Sequence, residues 1–474
     1  MMLTIADVVE GLTGARPAVA TPITEAAIDS RDVNPGALFV AIPGERADGH
    51  DFIDEAFRRG AKFALVQREV GKAHRVVDVR KGATPPSAQD LTPPACLRVE
   101  DSLAALQQTA RFWRRKLSPR VIGITGSVGK STTKEVVAQV LDERFRTLRN
   151  PGNLNNEIGL PLTILRLSGT HQMAVLEMGF FVPGEIRFLC EIALPHVGVV
   201  TNVGTVHAER AGSQEEIARG KAELVQSLPP APEGVAILNY DDPLVRGMQR
   251  QTKARVLFYG LTPEAELWAD EVEGLGLDGV RFQMHYHGES MHVKIPMIGR
   301  HSVETALRAT AVALVEGLSW QEVLAGLAHG RTQLRLVAVR SQTGALLLDD
   351  TYNASPESML AALNLLSELT SKRKIAVLGD MLELGQYERR SHEMIGRRAA
   401  QVADILVTLG SRGRMYAEAA RTTTSRELKI FEFEDSEAVI DWLRKNLTDT
   451  DVALLKGSHG LRMDLIVAAL ERNS

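Results

Sequence analysis

The chain has 474 residues, 55 basic against 59 acidic side chains for a net charge of −4, and is 44% hydrophobic and 24% charged. That length exceeds one core and predicts two to four domains, while the near-balanced charge leaves no electrostatic footprint for nucleic acid or an anionic membrane. Cys96 and Cys190 are far apart and without metal-type spacing, no apolar stretch reaches bilayer length, and the N-terminus lacks a basic flank before an apolar run. The expectation is a cytoplasmic α/β protein with no nucleic-acid partner and no membrane insertion.

Residues 1–100 form a first unit, with strands at 37–42 and 61–66. Its end is marked by the proline-rich stretch Lys81-Gly-Ala-Thr-Pro-Pro-Ser-Ala-Gln-Asp-Leu-Thr-Pro-Pro94, an exposed loop. A helix at 101–115 opens a second unit, 101–332. There the apolar run Val121-Ile-Gly-Ile-Thr enters the glycine turn Gly126-Ser-Val-Gly129, followed by Lys130, Ser131, Thr132 and a helical run. Strand, glycine loop and helix in that order grip nucleotide phosphates: backbone N–H groups aim inward, Lys130 reaches the terminal phosphates and Ser131 ligates Mg²⁺. Ile124 stands where the strict pattern wants glycine.

Strands at 173–178, 196–203 and 234–239 alternate with helices, which argues for a parallel sheet. A hairpin at 280–295 with a Gly288 turn interrupts the rhythm. The third unit, 333–474, places strands at 346–350, 374–379, 404–410, 429–434 and 451–457, a doubly wound pattern whose ligands belong beyond the carboxyl ends of the strands.

Several polar groups fall at those ends. Glu177 closes the strand at 173–178, and His207 follows the strand at 196–203; both share the sheet edge of Lys130 if the strands are parallel. A carboxylate and an imidazole there suit Mg²⁺ coordination, a surface carboxylate and an ordinary loop histidine being the bland alternatives. Lys221 sits on the apolar stripe of a helix capped by the box Ser213-Gln-Glu-Glu216, four residues after Ile217. It either snorkels to the edge, or turns into the site as a cation or as a carbamate formed with CO₂. Asn153, Asn155 and Asn156 lie in a loop that can orient a substrate carboxylate or phosphate, or be turn residues. Asn239-Tyr-Asp-Asp242 is a turn or a contact for base or ribose. His285, His287 and His292 read as exposed hairpin positions rather than a metal site. Asp349-Asp-Thr-Tyr-Asn-Ala-Ser-Pro-Glu-Ser358 and Lys456-Gly-Ser-His-Gly-Leu-Arg462 each join strand to helix and suit anionic ligands, or are plain turns.

Together these segments resemble the Mur ligases, the ATP-dependent amide-bond-forming enzymes of bacterial peptidoglycan synthesis, over nearly the whole chain. Thr125-Gly-Ser-Val-Gly-Lys-Ser131 looks like that family's phosphate loop. Asp29-Ser-Arg-Asp-Val33, Gly36-Ala-Leu-Phe-Val-Ala41 and Asp48-Gly-His50 resemble its UDP-binding N-terminal domain. Asn155-Asn-Glu-Ile-Gly-Leu-Pro161, Thr201-Asn-Val-Gly204 with His207, and Gly220-Lys-Ala-Glu223 resemble its central ATPase domain. The C-terminal segments at 349–359, 379–385 and 456–463 resemble the member that adds D-alanyl-D-alanine, and the Asp-Asn-Pro-Arg sequence of diaminopimelate-adding relatives is absent. Two departures stand out: Gly299-Arg-His-Ser-Val-Glu-Thr305 lacks the two asparagines expected to touch adenine, and His459 replaces a usual arginine.

The resemblance implies three domains: a small α/β UDP-binding unit, a central phosphate-loop ATPase and a Rossmann-like C-terminal unit. It implies ATP with two Mg²⁺ as cofactors, UDP-N-acetylmuramoyl-tripeptide and D-alanyl-D-alanine as substrates, and a monomer. ATP contacts are expected from residues 125–132 (Thr125, Gly126, Ser127, Val128, Gly129, Lys130, Ser131, Thr132), with Asn239, His301, Arg335, Asp350 and Asn353. Ser30, Arg31, Asn155 and Asn156 are expected at the UDP substrate. Ser131, Glu177, His207 and carbamylated Lys221 are expected to hold the metals, and Lys130, Glu177, His207 and Lys221 to be catalytic. A phosphate-loop kinase or transport ATPase leaves Lys221 and the third unit unexplained, and a non-catalytic nucleotide binder has no need of Glu177 and His207.

Overall fold

A computed structural model describes residues 1–44, 47–71, 73–205, 208–329, 337–423 and 427–471. Near-continuous apolar runs such as Val121-Ile-Gly-Ile124 fit a parallel strand covered on both faces. Val121 faces one core, with Ala174 and Leu176, while Ile122 and Ile124 face another with Val175 and Val199.

Three mostly parallel sheets result. The first runs Ala26–Ala27, Leu38–Val40, Phe63–Val66, Ala95–Arg98, Val76–Asp78, all parallel. The second has nine strands. Thr147–Arg149, Met173–Glu177, Arg120–Thr125, Val197–Val200, Val235–Asn239, Arg255–Gly260 and Leu267–Gly274 are parallel, and the hairpin Val280–Tyr286 with Glu289–Ile295 extends the edge antiparallel. The third runs Val337–Arg340, Leu346–Asp349, Asp451–Lys456, Arg373–Gly379, Ile405–Leu409, Lys429–Phe433, parallel except for its first, antiparallel edge strand.

The expected strands and the hairpin are present. Strands Arg255–Gly260, Leu267–Gly274 and Val337–Arg340 escaped the sequence reading; in Leu267–Gly274 only Leu267 and Ala269 are buried, and in Val337–Arg340 no residue is, which leaves a weak strand signal.

Helix Ser102–Lys116 joins the first sheet to the second. Its buried Trp113 donates its indole N–H to the Leu167 carbonyl at 2.9 Å. Its Lys116 reaches Asp7 at 3.0 Å and Glu10 at 2.6 Å on the N-terminal helix. The third sheet meets the second around the phosphate loop: a Cβ on Gly204 would lie 2.7 Å from a Glu357 carboxylate oxygen, and Arg300 pairs with Glu368 at 3.2 Å. Among the described residues no helix is long and apolar enough to cross a membrane.

Candidate active site

The phosphate loop is shaped by what lies behind it. Gly126 has φ +148°, and a Cβ there would come within 1.8 Å of Thr201 Oγ1. Gly129, at φ +82°, caps helix Lys130–Leu141 in the left-handed region. Asn202 accepts from the Val128 N–H at 2.9 Å, and Thr201 donates to the Val128 carbonyl at 2.7 Å, so the strand-end segment 201–204 fixes the loop. Lys130 Nζ folds onto the Gly126 and Ser127 carbonyls at 2.7 and 3.2 Å. Thr125 donates to the Met178 carbonyl at 3.1 Å, tying the loop to the strand that carries Glu177.

Beneath the loop, buried Arg308 links three elements. It donates to the Tyr259 hydroxyl at 2.7 Å and the Thr133 hydroxyl at 3.2 Å, and pairs with Glu304 at 2.6 Å. Burial pushes the Tyr259 phenol well up, which keeps it neutral and able to donate to the Thr201 carbonyl at 3.0 Å. Nothing in the sequence pattern flagged this pair.

Glu177 is 1% exposed. Its Oε1 accepts from Asn155 Nδ2 at 2.8 Å, and its Oε2 has no hydrogen-bond partner among the described residues. Lys221, also 1% exposed, makes no hydrogen bond with a described residue, and its ammonium lies 4.8 Å from the centroid of the Phe180 ring. That ring packs against Gly220, where a Cβ would meet Phe180 Cε2 at 2.0 Å, so the glycine before Lys221 is what admits the aromatic wall. Desolvation, reinforced by the Lys130 charge, holds the Lys221 ammonium well below its ordinary range. Of the capping box expected at Ser213, the hydroxyl-to-Glu216 N–H bond is present at 3.3 Å.

Two cavities flank the loop. One of about 130 Å³ is lined by Ser127, Val128, Gly129 and Thr132, by His301, Ser302 and Thr305, and by Asp350, Asn353 and Lys456 of the third sheet. The other, about 490 Å³, is lined by Lys130, Asn153, Asn155, Asn156, Glu177, Phe180, Phe181 and Tyr352. Ser127 and Asn353 line both. Lys456, 2% exposed, pairs with Asp350 at 2.7 Å and donates to the Asn353 carbonyl at 2.8 Å, holding that loop over the phosphate loop.

Of the expected site residues, the structure brings Lys130, Glu177, Asn155 and Asn156 together at the larger cavity, and Thr132, His301, Asp350 and Asn353 at the smaller. Ser131 stands in the first turn of the loop's helix. His207 and Arg335 lie outside the described residues. Asn239 spends its amide on the Thr201 carbonyl at 3.2 Å and the Asp241 N–H at 3.0 Å, and lines neither cavity. Ser30 is buried, while exposed Arg31 pairs with Asp29 and holds that carboxyl down at about 2. On the hairpin, His285 stacks on Trp268 and bonds to Asp270 at 2.8 Å. Asn150, Lys134 and Phe180 are the contributors that motif reading passed over, whereas the segment that begins at Lys456 was singled out as a ligand loop; the lysine one helical turn after Lys130 was the one available cue to Lys134.

Fold and site together define a three-sheet α/β nucleotide-binding protein whose phosphate loop is roofed by a second α/β unit. The Mur ligase middle domain matches residues 124–313, the Mur ligase glutamate ligase domain 330–459, and the Mur ligase family catalytic domain 22–114. The chain belongs to the Mur ligase family. It is 34% identical over 470 residues to the UDP-N-acetylmuramoyl-tripeptide–D-alanyl-D-alanine ligase of Bacillus subtilis (strain 168), covering 98% of this chain and 97% of that protein. A crystal structure of MurF from Acinetobacter baumannii superposes with TM-score 0.81 at 30% identity, covering 98% and 97% of the two chains. MurF ligase from Thermotoga maritima in complex with ADP gives TM-score 0.77 at 29% identity over 94% and 96%.

Proposed function

We propose that this chain is the ATP-dependent ligase that adds D-alanyl-D-alanine to UDP-N-acetylmuramoyl-tripeptide, giving the UDP-linked pentapeptide, ADP and phosphate. The carrying observation is the pair of cavities that meet at one phosphate loop, with Ser127 and Asn353 common to both. A nucleotide in the smaller cavity would present its γ-phosphate to a carboxylate in the larger.

A carboxylate is a poor acyl donor, because oxide would have to leave. Its oxygen attacks the γ-phosphorus, ADP departs, and the resulting acyl phosphate carries a good leaving group. The neutral amine of D-alanyl-D-alanine then adds to the carbonyl carbon, loses a proton to solvent, and the tetrahedral adduct collapses to amide and phosphate. Phosphoryl transfer of this kind asks mainly for positioning and charge neutralisation. Lys130 supplies a cation at the β and γ phosphates. The Phe180, Phe181 and Tyr352 side chains lining the larger cavity, and the loop that Lys456 clamps over the smaller, keep water from the acyl phosphate.

The side chains also suit divalent cations. The Glu177 oxygen that has no partner among the described residues and the Ser131 hydroxyl are hard oxygen donors, and His207 adds an imidazole. When bound, Mg²⁺ would neutralise phosphate charge and polarise the γ-phosphoryl group. Lys221 is unsuited to ligation as an ammonium. As a neutral amine its lone pair attacks CO₂, a proton passes to solvent, and the carbamate presents oxygen acceptors; depressed basicity favours the neutral amine that this step needs. Residues 1–100 hold the UDP end near Ser30 and Arg31, 101–332 hold ATP, and 333–474 the amino substrate. In this reading the enzyme is a cytoplasmic monomer.

Phosphate release should require ATP with both the UDP-linked tripeptide and D-alanyl-D-alanine, phosphate and amide forming in equal amounts, with the product mass reporting the donor. ATP turnover indifferent to both acceptors would sink the ligase reading and leave a phosphate-loop ATPase. For the carbamate, inactive Lys221→Ala should recover with small carboxylic acids; near-normal activity without them overturns it.

A further inference from the structure

The carboxylate of Glu177 is held by a buried relay that begins on the phosphate-loop helix. Lys134, 1% exposed, donates to the Asn150 carbonyl at 2.7 Å and the Gly152 carbonyl at 3.1 Å, fixing the start of loop 150–156. Asn150, fully buried, then grips the Glu177 backbone from both sides. Its Oδ1 accepts from the Glu177 N–H at 2.9 Å, and its Nδ2 donates to the Glu177 carbonyl at 3.2 Å and the Leu154 carbonyl at 2.8 Å. The loop returns so that the Gly179 N–H donates to the Asn155 carbonyl at 2.7 Å, and Asn155 Nδ2 donates to Glu177 Oε1 at 2.8 Å. A Cβ on Gly179 would sit 2.9 Å from Asn155 Oδ1, so glycine there admits the asparagine.

The two carboxylate oxygens thereby become unequal. Oε1 is engaged by an amide donor, whereas Oε2, buried on a side chain that lines the larger cavity, has no partner among the described residues. A buried carboxylate oxygen left without a donor is costly unless a cation meets it.

We propose that Asn155 is a positioning residue. It locks Oε1 so that Oε2 alone is offered, as a one-oxygen ligand, to the divalent cation, with Lys134 and Asn150 setting the loop from which it acts. The inference rests on the metal reading above and moves Asn155 from the substrate to the metal side of the site. It predicts that removing the amide weakens the metal and leaves the UDP-linked substrate nearly untouched, since hydrogen-bond partners that orient a ligand typically carry about 10–100-fold in metal affinity.

The test uses the full chain, with Asn155→Ala and the shorter-reaching Asn155→Ser. Asn155 is half-buried on a loop, so melting temperatures close to the parent's are expected and would show that both variants are folded. Mn²⁺ bound to the enzyme–ADP complex, counted by electron paramagnetic resonance, should bind about 10–100-fold more weakly in Asn155→Ala, with Asn155→Ser between. Half-saturating Mg²⁺ for turnover should rise in parallel, with KM for the UDP-linked tripeptide within about threefold of the parent's. Unchanged Mn²⁺ affinity with a raised tripeptide KM would make Asn155 a substrate contact and overturn the inference alone. A parent that binds no Mn²⁺ with ADP would overturn the metal reading and the inference together.

Discussion

At Lys221, stability and chemistry pull apart, and Lys221→Met separates them. The ammonium is 1% exposed, hydrogen-bonds to no described residue, and is held well below its ordinary 10.5 by desolvation first and the Lys130 charge second. Methionine has similar length, and its thioether packs well against an aromatic ring such as Phe180. A cation–π contact worth about 0.5–2 kcal/mol is lost only in so far as the amine is charged. Removing a buried cation that pairs with no described residue in favour of a well-packed apolar chain is stabilising by roughly 1–4 kcal/mol, a gain of about 2–4 °C per kcal/mol for a domain of this size. The sign with pH follows from linkage. A lysine whose folded value is lowered binds a proton in the unfolded chain that it lacks in the folded one, so it costs stability increasingly as pH falls from 10.5 toward the folded value. Calorimetry in CO₂-depleted buffer should show the variant melting above the parent, the gap widening as pH falls from about 10, with ligase activity lost. A variant less stable than the parent, or a gap that does not change with pH, would refute the reasoning.

Gly126→Ala would drive a Cβ to 1.8 Å from Thr201 Oγ1 at a backbone angle of +148°. ATP binding by calorimetric titration should fall at least 100-fold while the rest of the chain stays folded, and near-parental affinity would contradict the loop geometry. Lys456→Met removes the cation that holds Asp350 at 2.7 Å and the Asn353 carbonyl at 2.8 Å. Because breaking a buried pair on one side costs about 3–5 kcal/mol, KM for ATP should rise and the third sheet's melting transition should drop, with Lys456→Arg recovering part of each; unchanged ATP kinetics would remove the clamp.

Much of the architecture was legible because strand periodicity and loop chemistry are local. Two-sided apolar runs at 121–124 and 173–176 dictate parallel strands, and parallel strands deliver Lys130 and Glu177 to one sheet edge whatever the rest of the chain does. Helical spacing alone placed Lys221 on a buried stripe. The motifs assembled the family. What tertiary structure decided is the role of each group, because roles depend on partners distant in sequence. The amide of Asn155 is aimed by Lys134 and Asn150 at a carboxylate 22 residues away. Asn239 spends its amide on the segment behind the loop, and Lys456 reaches a carbonyl 103 residues earlier. Periodicity reports which face is buried, but a hydrogen bond is set by the last few tenths of an ångström between atoms that packing brings together.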